Sequence, residues 1–244
     1  MARSYLLHSA FYTLQGEGRW TGHAAVFLRF AGCNAWTGRE EDRAADSLRA
    51  NCAAWCDTSF RDPDPALHGG RYDALALASL AASLAPGCAH NAPDARAAPG
   101  GGPGPSLRAT GQPGAPARVV VLTGGEPSLQ LDVPLLDALH AQGFRVHVET
   151  NGSRALPPGI DWLTVSPKPP LPVIPAAYDE CKVVLPSQAD PEVFRYLAPL
   201  LWVQPLAASD GSLLPESARL AADYVLSHPW ARLSIQTHKL LGLP

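Results

Sequence analysis

From residue 118 to residue 236 the chain alternates β-branched runs with helical stretches, and this alternation restricts the fold more than any other feature. Strands are expected at 118–122, 144–149, Trp162–Val165, 181–185, 201–203 and 232–236. Helices are expected at 134–142, 191–197 and Pro215–Ser227, the first ended by Gly143. An earlier apolar run, Ala24–Phe30, supplies the first main strand, and 72–84 reads as a helix stopped by Pro86-Gly87. Strands alternating with helices imply an α/β fold with a mostly parallel sheet. The units fall short of eight, so a partial, open β/α barrel fits better than a closed one.

The strand ends locate the function. Polar or glycine-rich signatures follow nearly every strand: Cys33, Thr123-Gly124-Gly125-Glu126, Glu149-Thr150-Asn151, Ser166-Pro167-Lys168 and Gln204. In parallel β/α folds these carboxyl ends share one face, and sites form there. Ordinary turns account for the glycines. They do not account for two acids, a lysine and a glutamine recurring at the same place.

Three of the five cysteines, Cys33, Cys52 and Cys56, fall in one stretch between Phe11 and Phe60. Three thiolates can hold three irons of a [4Fe–4S] cluster and leave the fourth iron open. A zinc site short of one ligand, or three unrelated buried thiols, are the competing readings. Between Cys33 and Cys52 the segment 37–50 is rich in acids and arginines, as expected of a solvated excursion or short surface helix. Cys181, in an apolar strand, reads as a core thiol.

An odd cysteine count with clustering fits a reducing compartment and metal ligation, hence a cytoplasmic location. The apolar part of the N-terminus is too short for a signal peptide, and no apolar run is long enough to span a membrane. A formal net charge of −3 without a basic stripe argues against nucleic acid as a partner. Residues 1–244 are read as one domain carrying a Pro/Gly-rich, mobile loop at about 86–117. Cys88 and His90 lie in that loop and read as a free thiol and imidazole.

A cysteine triad after the first main strand and Gly124-Gly125-Glu126-Pro127 after the next resemble the radical S-adenosylmethionine superfamily. Within it, Leu14-Gln15-Gly16-Glu17-Gly18, Ala31-Gly32-Cys33-Asn34, Cys56-Asp57-Thr58, Val148-Glu149-Thr150-Asn151-Gly152 and Gln236-Thr237-His238-Lys239 are similar to the 7-carboxy-7-deazaguanine synthases. The resemblance implies a radical carbon–nitrogen lyase of queuosine and 7-deazapurine biosynthesis. It contracts 6-carboxy-5,6,7,8-tetrahydropterin to 7-carboxy-7-deazaguanine and ammonia.

The same resemblance implies the parts. Cys33, Cys52 and Cys56 would ligate the [4Fe–4S] cluster, and Thr58 would contact Mg²⁺. Trp55, Asp57, Gly125, Glu126, Ser166, Pro167, Lys168 and the run Gln204, Pro205, Leu206, Ala207 would meet S-adenosylmethionine. Leu14, Gln15, Gly16, Arg29, Thr123 and the terminal Pro244 would bind the pterin. An arginine among apolar strand neighbours needs an anion, and the substrate carboxylate is the partner the resemblance suggests for Arg29. An electron donor such as flavodoxin or ferredoxin and a homodimer are implied likewise.

The chain departs from the superfamily pattern in its cysteine spacing. Eighteen residues separate Cys33 from Cys52, which the excursion explains, and three separate Cys52 from Cys56, which puts Cys52 one residue early. Two other functions remain in view. A radical enzyme that activates a protein glycyl site is disfavoured by Leu14-Gln15-Gly16-Glu17-Gly18 and the short C-terminal half. A non-catalytic zinc-binding module lacks a fourth Cys or His at fitting distance from Cys56, His68 being the nearest.

Overall fold

The first strand is one that hydrophobic patterning does not reveal. In this computed structural model, which describes residues 3–86, 118–187, 189–208 and 211–244, β1 (Tyr5–Leu14) is buried at Tyr5, Leu7, His8, Ser9 and Ala10 in near succession. Alternation is absent because both faces are covered, one by helices and the other by the site. β1 pairs antiparallel with β2 (Ala24–Phe30) and with β3 (Gly70–Tyr72). The expected helix at 72–84 therefore starts later, and the segment before it becomes a strand. The Pro/Gly-rich stretch with Cys88 and His90 lies outside the described residues.

Between β2 and β3 the excursion after Cys33 folds into 3-10 turns and α1 (Arg43–Asp46). It is not wholly solvated. Asp46 is only 1% exposed and accepts bonds from the Thr37 backbone N–H and hydroxyl, both at 2.8 Å. α2 (Ala74–Leu84) starts on Asp73, whose carboxylate caps the Ala76 N–H. Then follow β4 (Arg118–Gly124), α3 (Val133–Ala141), β5 (Phe144–Thr150), β6 (Trp162–Val165) and β7 (Glu180–Leu185). The chain closes with α4 (Pro191–Phe194), β8 (Leu200–Pro205), α5 (Pro215–Ser227), β9 (Ala231–Leu233) and α6 (Thr237–Leu240). α4 is shorter than expected: residues 195–197 continue as a turn, and Pro199 keeps Ala198 from extending it. The last strand stops at Leu233, and residues 234–236, expected to extend it, form an irregular link to α6.

The nine strands form one sheet in the order β3-β1-β2-β4-β5-β6-β7-β8-β9, parallel from β2 onward. β3 and β9 are its edges, so the barrel is open, as the alternation predicts. On the outward face Val120, Leu122, Val146, Val148, Cys181 and Val183 pack beneath Leu77, Leu135, Leu139 and Ala221 of the helices. Truncating one such leucine to alanine costs about 2–5 kcal/mol. Asp132 joins the layers, capping α3 through the Leu135 N–H and accepting the Tyr5 hydroxyl at 2.6 Å.

Candidate active site

Along each parallel strand the inward residues change character from one end to the other. Deeper in the half-barrel, His147 of β5 packs at a tilt and Trp162 of β6 edge-on against Trp20, ring centroids 5.0 and 5.5 Å from it. The next layer is a buried carboxylate, Glu180, bonded by Thr164, Trp202 and the Arg19 N–H at 2.7–3.0 Å. At the carboxyl ends the strands open into a cavity of about 470 Å³.

Cys33, Cys52 and Cys56 line one side of it. Cys33 follows β2, Cys52 sits in the 3-10 turn Asn51–Ala54, and Cys56 follows directly. That turn, placed after α1, brings the displaced Cys52 to the same wall as the other two. Burial pushes all three thiols up, Cys52 to about 12; neighbouring cysteines raise Cys33 and Cys52 further, and Asp57 raises Cys56. Thiolates in such a place require a multivalent cation. Among the described residues no three His, Cys, Asp or Glu groups converge on one ion. A cubane asks for something different, since each thiolate binds its own iron and the sulfurs surround a space. Three thiols around one cavity are a donor set that would suit such a group.

Beside the cysteines, Gly124 and Gly125 dock β4 against their loop. A Cβ on Gly125 would lie 2.3 Å from the Gly32 carbonyl oxygen, and Gly124 has a φ of +146. The Gly125 and Glu126 N–H groups donate to Phe30 and Gly32 carbonyls. Glyless chemistry here would separate the loop from the sheet. Glu126, expected against the cofactor, does not line the cavity. It is fully buried, and its carboxylate accepts from Ser128 N–H, the Thr150 hydroxyl and Asn151 N–H at 3.0, 2.6 and 2.7 Å. Its geometry is that of a clamp between the ends of β4 and β5.

The other expected residues divide similarly. Trp55, Asp57, Thr58, Gly125, Ser166, Lys168 and Gln204 face the cavity, and so do Gln15, Arg29, Thr123 and Pro244. Lys168 holds its ammonium 5.0 Å above the Trp55 ring. Pro167, Leu206, Leu14 and Gly16 do not line it, and Pro205 and Ala207 line a smaller adjoining cavity of about 230 Å³. Gly16 acts indirectly, because a Cβ there would overlap Nδ1 of His238 at 1.8 Å. Its carbonyl accepts from the Thr237 N–H at 3.0 Å, which draws the C-terminal segment over the site.

Lys182 is the feature sequence reasoning missed. It is 5% exposed in β7, and its ammonium is paired with Glu17 and, at 3.1 Å, with Glu149. Glu17 also accepts from Gln204 and Gln236 at 3.2 and 2.7 Å, and Glu149 from Gln15 at 2.7 Å. Burial alone would push the Glu17 carboxyl up, yet the lysine charge and its hydrogen bond hold it below the carboxylate range. Burial opposes the Lys182 charge too, and the two carboxylates outweigh it and hold the ammonium above its ordinary value. The available signal was the lone lysine in Cys181-Lys182-Val183-Val184-Leu185, since a charge in an apolar strand requires a buried partner. Arg29 is the contrasting case. It lines the cavity with its charge opposed by burial, and its guanidinium has no hydrogen bond or ion pair among the described residues.

Comparison with known proteins gives these features a family. No family model matches the chain. It is 44% identical over 243 residues to the 7-carboxy-7-deazaguanine synthase of Bordetella pertussis, covering 99% of this chain and 100% of that one. The synthase of Caulobacter vibrioides is 43% identical over 243 residues, with the same coverage of both chains. The crystal structure of QueE from Escherichia coli shares the fold, with a TM-score of 0.63 at 24% identity over 96% of this chain and 94% of that one. With identity at that level running from end to end, the chain belongs to the 7-carboxy-7-deazaguanine synthase family.

Proposed function

We propose that the protein converts 6-carboxy-5,6,7,8-tetrahydropterin to 7-carboxy-7-deazaguanine, releasing one ring nitrogen as ammonia without net oxidation. Full-length identity to the synthases supports the reaction. The observation that carries the substrate is Arg29, an unpaired guanidinium facing a cavity in which an anion is the natural partner.

Cys33, Cys52 and Cys56 would hold the cluster, with Ser166, Lys168 and Gln204 around S-adenosylmethionine. Bound there, cluster and cofactor supply the one-electron, hydrogen-abstracting chemistry that side chains cannot furnish. The chain's own residues bind and orient. Arg29 takes the substrate carboxylate, the Gln15 segment and Thr123 take polar ring atoms, and the Pro244 carboxylate accepts from a ring N–H. The Thr58 hydroxyl would join substrate oxygens and water around Mg²⁺, an ion that keeps several waters. An outside electron donor and a homodimer complete the reading.

Anaerobic reconstitution tests it. The expected protein is brown, with about four irons and four sulfides per chain. Incubated with reductant, S-adenosylmethionine, Mg²⁺ and the tetrahydropterin, it yields the deazaguanine acid. Accumulation of 5′-deoxyadenosine without that product would remove the substrate assignment and leave the cofactor chemistry standing. Colourless protein with one zinc would remove both.

A further inference from the structure

An arginine that shares a cavity wall with carboxylates ordinarily pairs with one of them, because a partly desolvated charge without a partner is costly. Glu149 stands two strands from Arg29 at the same level of the sheet, since Arg29 pairs with Thr123 in β4 and Val148 with Leu122, and Glu149, Asp57 and Glu17 line the same cavity as Arg29. All three carboxylates favour the Arg29 charge. Each is already engaged by a lysine. Lys182 binds Glu17 and Glu149, and Lys239 binds Asp57. Of the Glu149 oxygens, Oε1 accepts from Gln15 and Oε2 from Lys182.

We infer that Lys182 is a positioning residue for substrate selection: by sequestering Glu149 it keeps Arg29 free for the carboxylate of the pterin. This rests on the assignment of Arg29 made above. The lysine is unsuited to act as an acid or as an amine nucleophile, since either role needs an ammonium that gives up its proton readily. Two carboxylates instead confine it, at a point where β7 and the Gln15–Glu17 loop meet. Without that cation the nearest anion to Arg29 would be one of the protein's own, and the incoming substrate would have to displace it.

The test compares two double variants of equal net charge. Lys182→Met with Glu17→Gln leaves Glu149 ionised and unsequestered. Lys182→Met with Glu149→Gln removes the competing anion. Binding is read by fluorescence titration with 6-carboxypterin and with 6-methylpterin, which lacks the carboxylate, so turnover is not involved. The full-length parent should prefer the carboxylate ligand by about tenfold or more, as expected of a charge-assisted bidentate contact. The first double variant should lose that preference while binding 6-methylpterin as before. The second should keep it, and Lys182→Arg should keep it as well. Equal preference in the two double variants, or the reverse order, overturns the inference. A parent protein that does not distinguish the two pterins overturns the Arg29 assignment itself, before any variant is made.

Discussion

His147 and Glu149 lie two residues apart on the same inward face of β5, and they belong to different regimes of the molecule. His147 is 3% exposed among Trp20 and Trp162, and its Nε2 has no hydrogen-bond partner among the described residues. Glu149 borders the cavity and is bonded twice, to Gln15 and Lys182. The base of the half-barrel leaves polar atoms unpaired and relies on ring packing. The rim satisfies its anions and leaves a cation, Arg29, free. Stability therefore belongs to the base and reactivity to the rim, with Glu180 and its three donors as the layer between them.

The sharpest way to break this division is at the rim. Replacing Cys33, Cys52 or Cys56 by alanine should abolish both bound iron and product, measured by iron content and anaerobic turnover. Cys181→Ala, on the outward face, should keep both and lower only the melting temperature. Arg29→Gln should reduce kcat/KM by about a hundredfold through loss of one charge-assisted contact, with the unfolding midpoint nearly unchanged. An equal fall in stability would show that Arg29 has a structural partner after all.

Changes at the base should do the opposite. Trp20→Ala removes a ring packed on Trp162 and His147 and should cost about 3–5 kcal/mol in denaturant unfolding. Turnover per folded molecule should stay near that of the parent. The smallest effect concerns pH. Burial lowers the His147 imidazole to about 4, against an unfolded value of about 6.5. The unfolded chain thus binds the extra proton first, and stability falls as the pH drops from about 6.5 to about 4. The loss is roughly 2–3 kcal/mol by linkage. His147→Phe should flatten that slope, and a parallel slope in the variant would mean that another group titrates.

Much of the chain was legible because its signals are local. The alternation of strands and helices gave the open parallel sheet, and the polar strand ends gave the face of the site. The cysteines and glycines marked the loop that docks on β4. Less was legible where a residue's role depends on both of its surroundings. β1 hides because both its faces are covered, so its pattern has no period. Asp46 resembles its solvated neighbours and is buried against Thr37.

What the sequence determined by itself was the fold class, the family and the set of thiols, since backbone propensity, periodicity and motif order are carried by neighbouring residues. The tertiary structure alone decided that Glu126 turns away from the cavity to clamp two strands, and that Lys182 bridges Glu17 and Glu149. It alone decided that Arg29 is left without a partner among the described residues. The physical reason is that electrostatic pairing depends on distance through space. Residues 17, 149 and 182 come within reach of one another only when the Gln15–Glu17 loop folds over two separated strands of the sheet, β5 and β7.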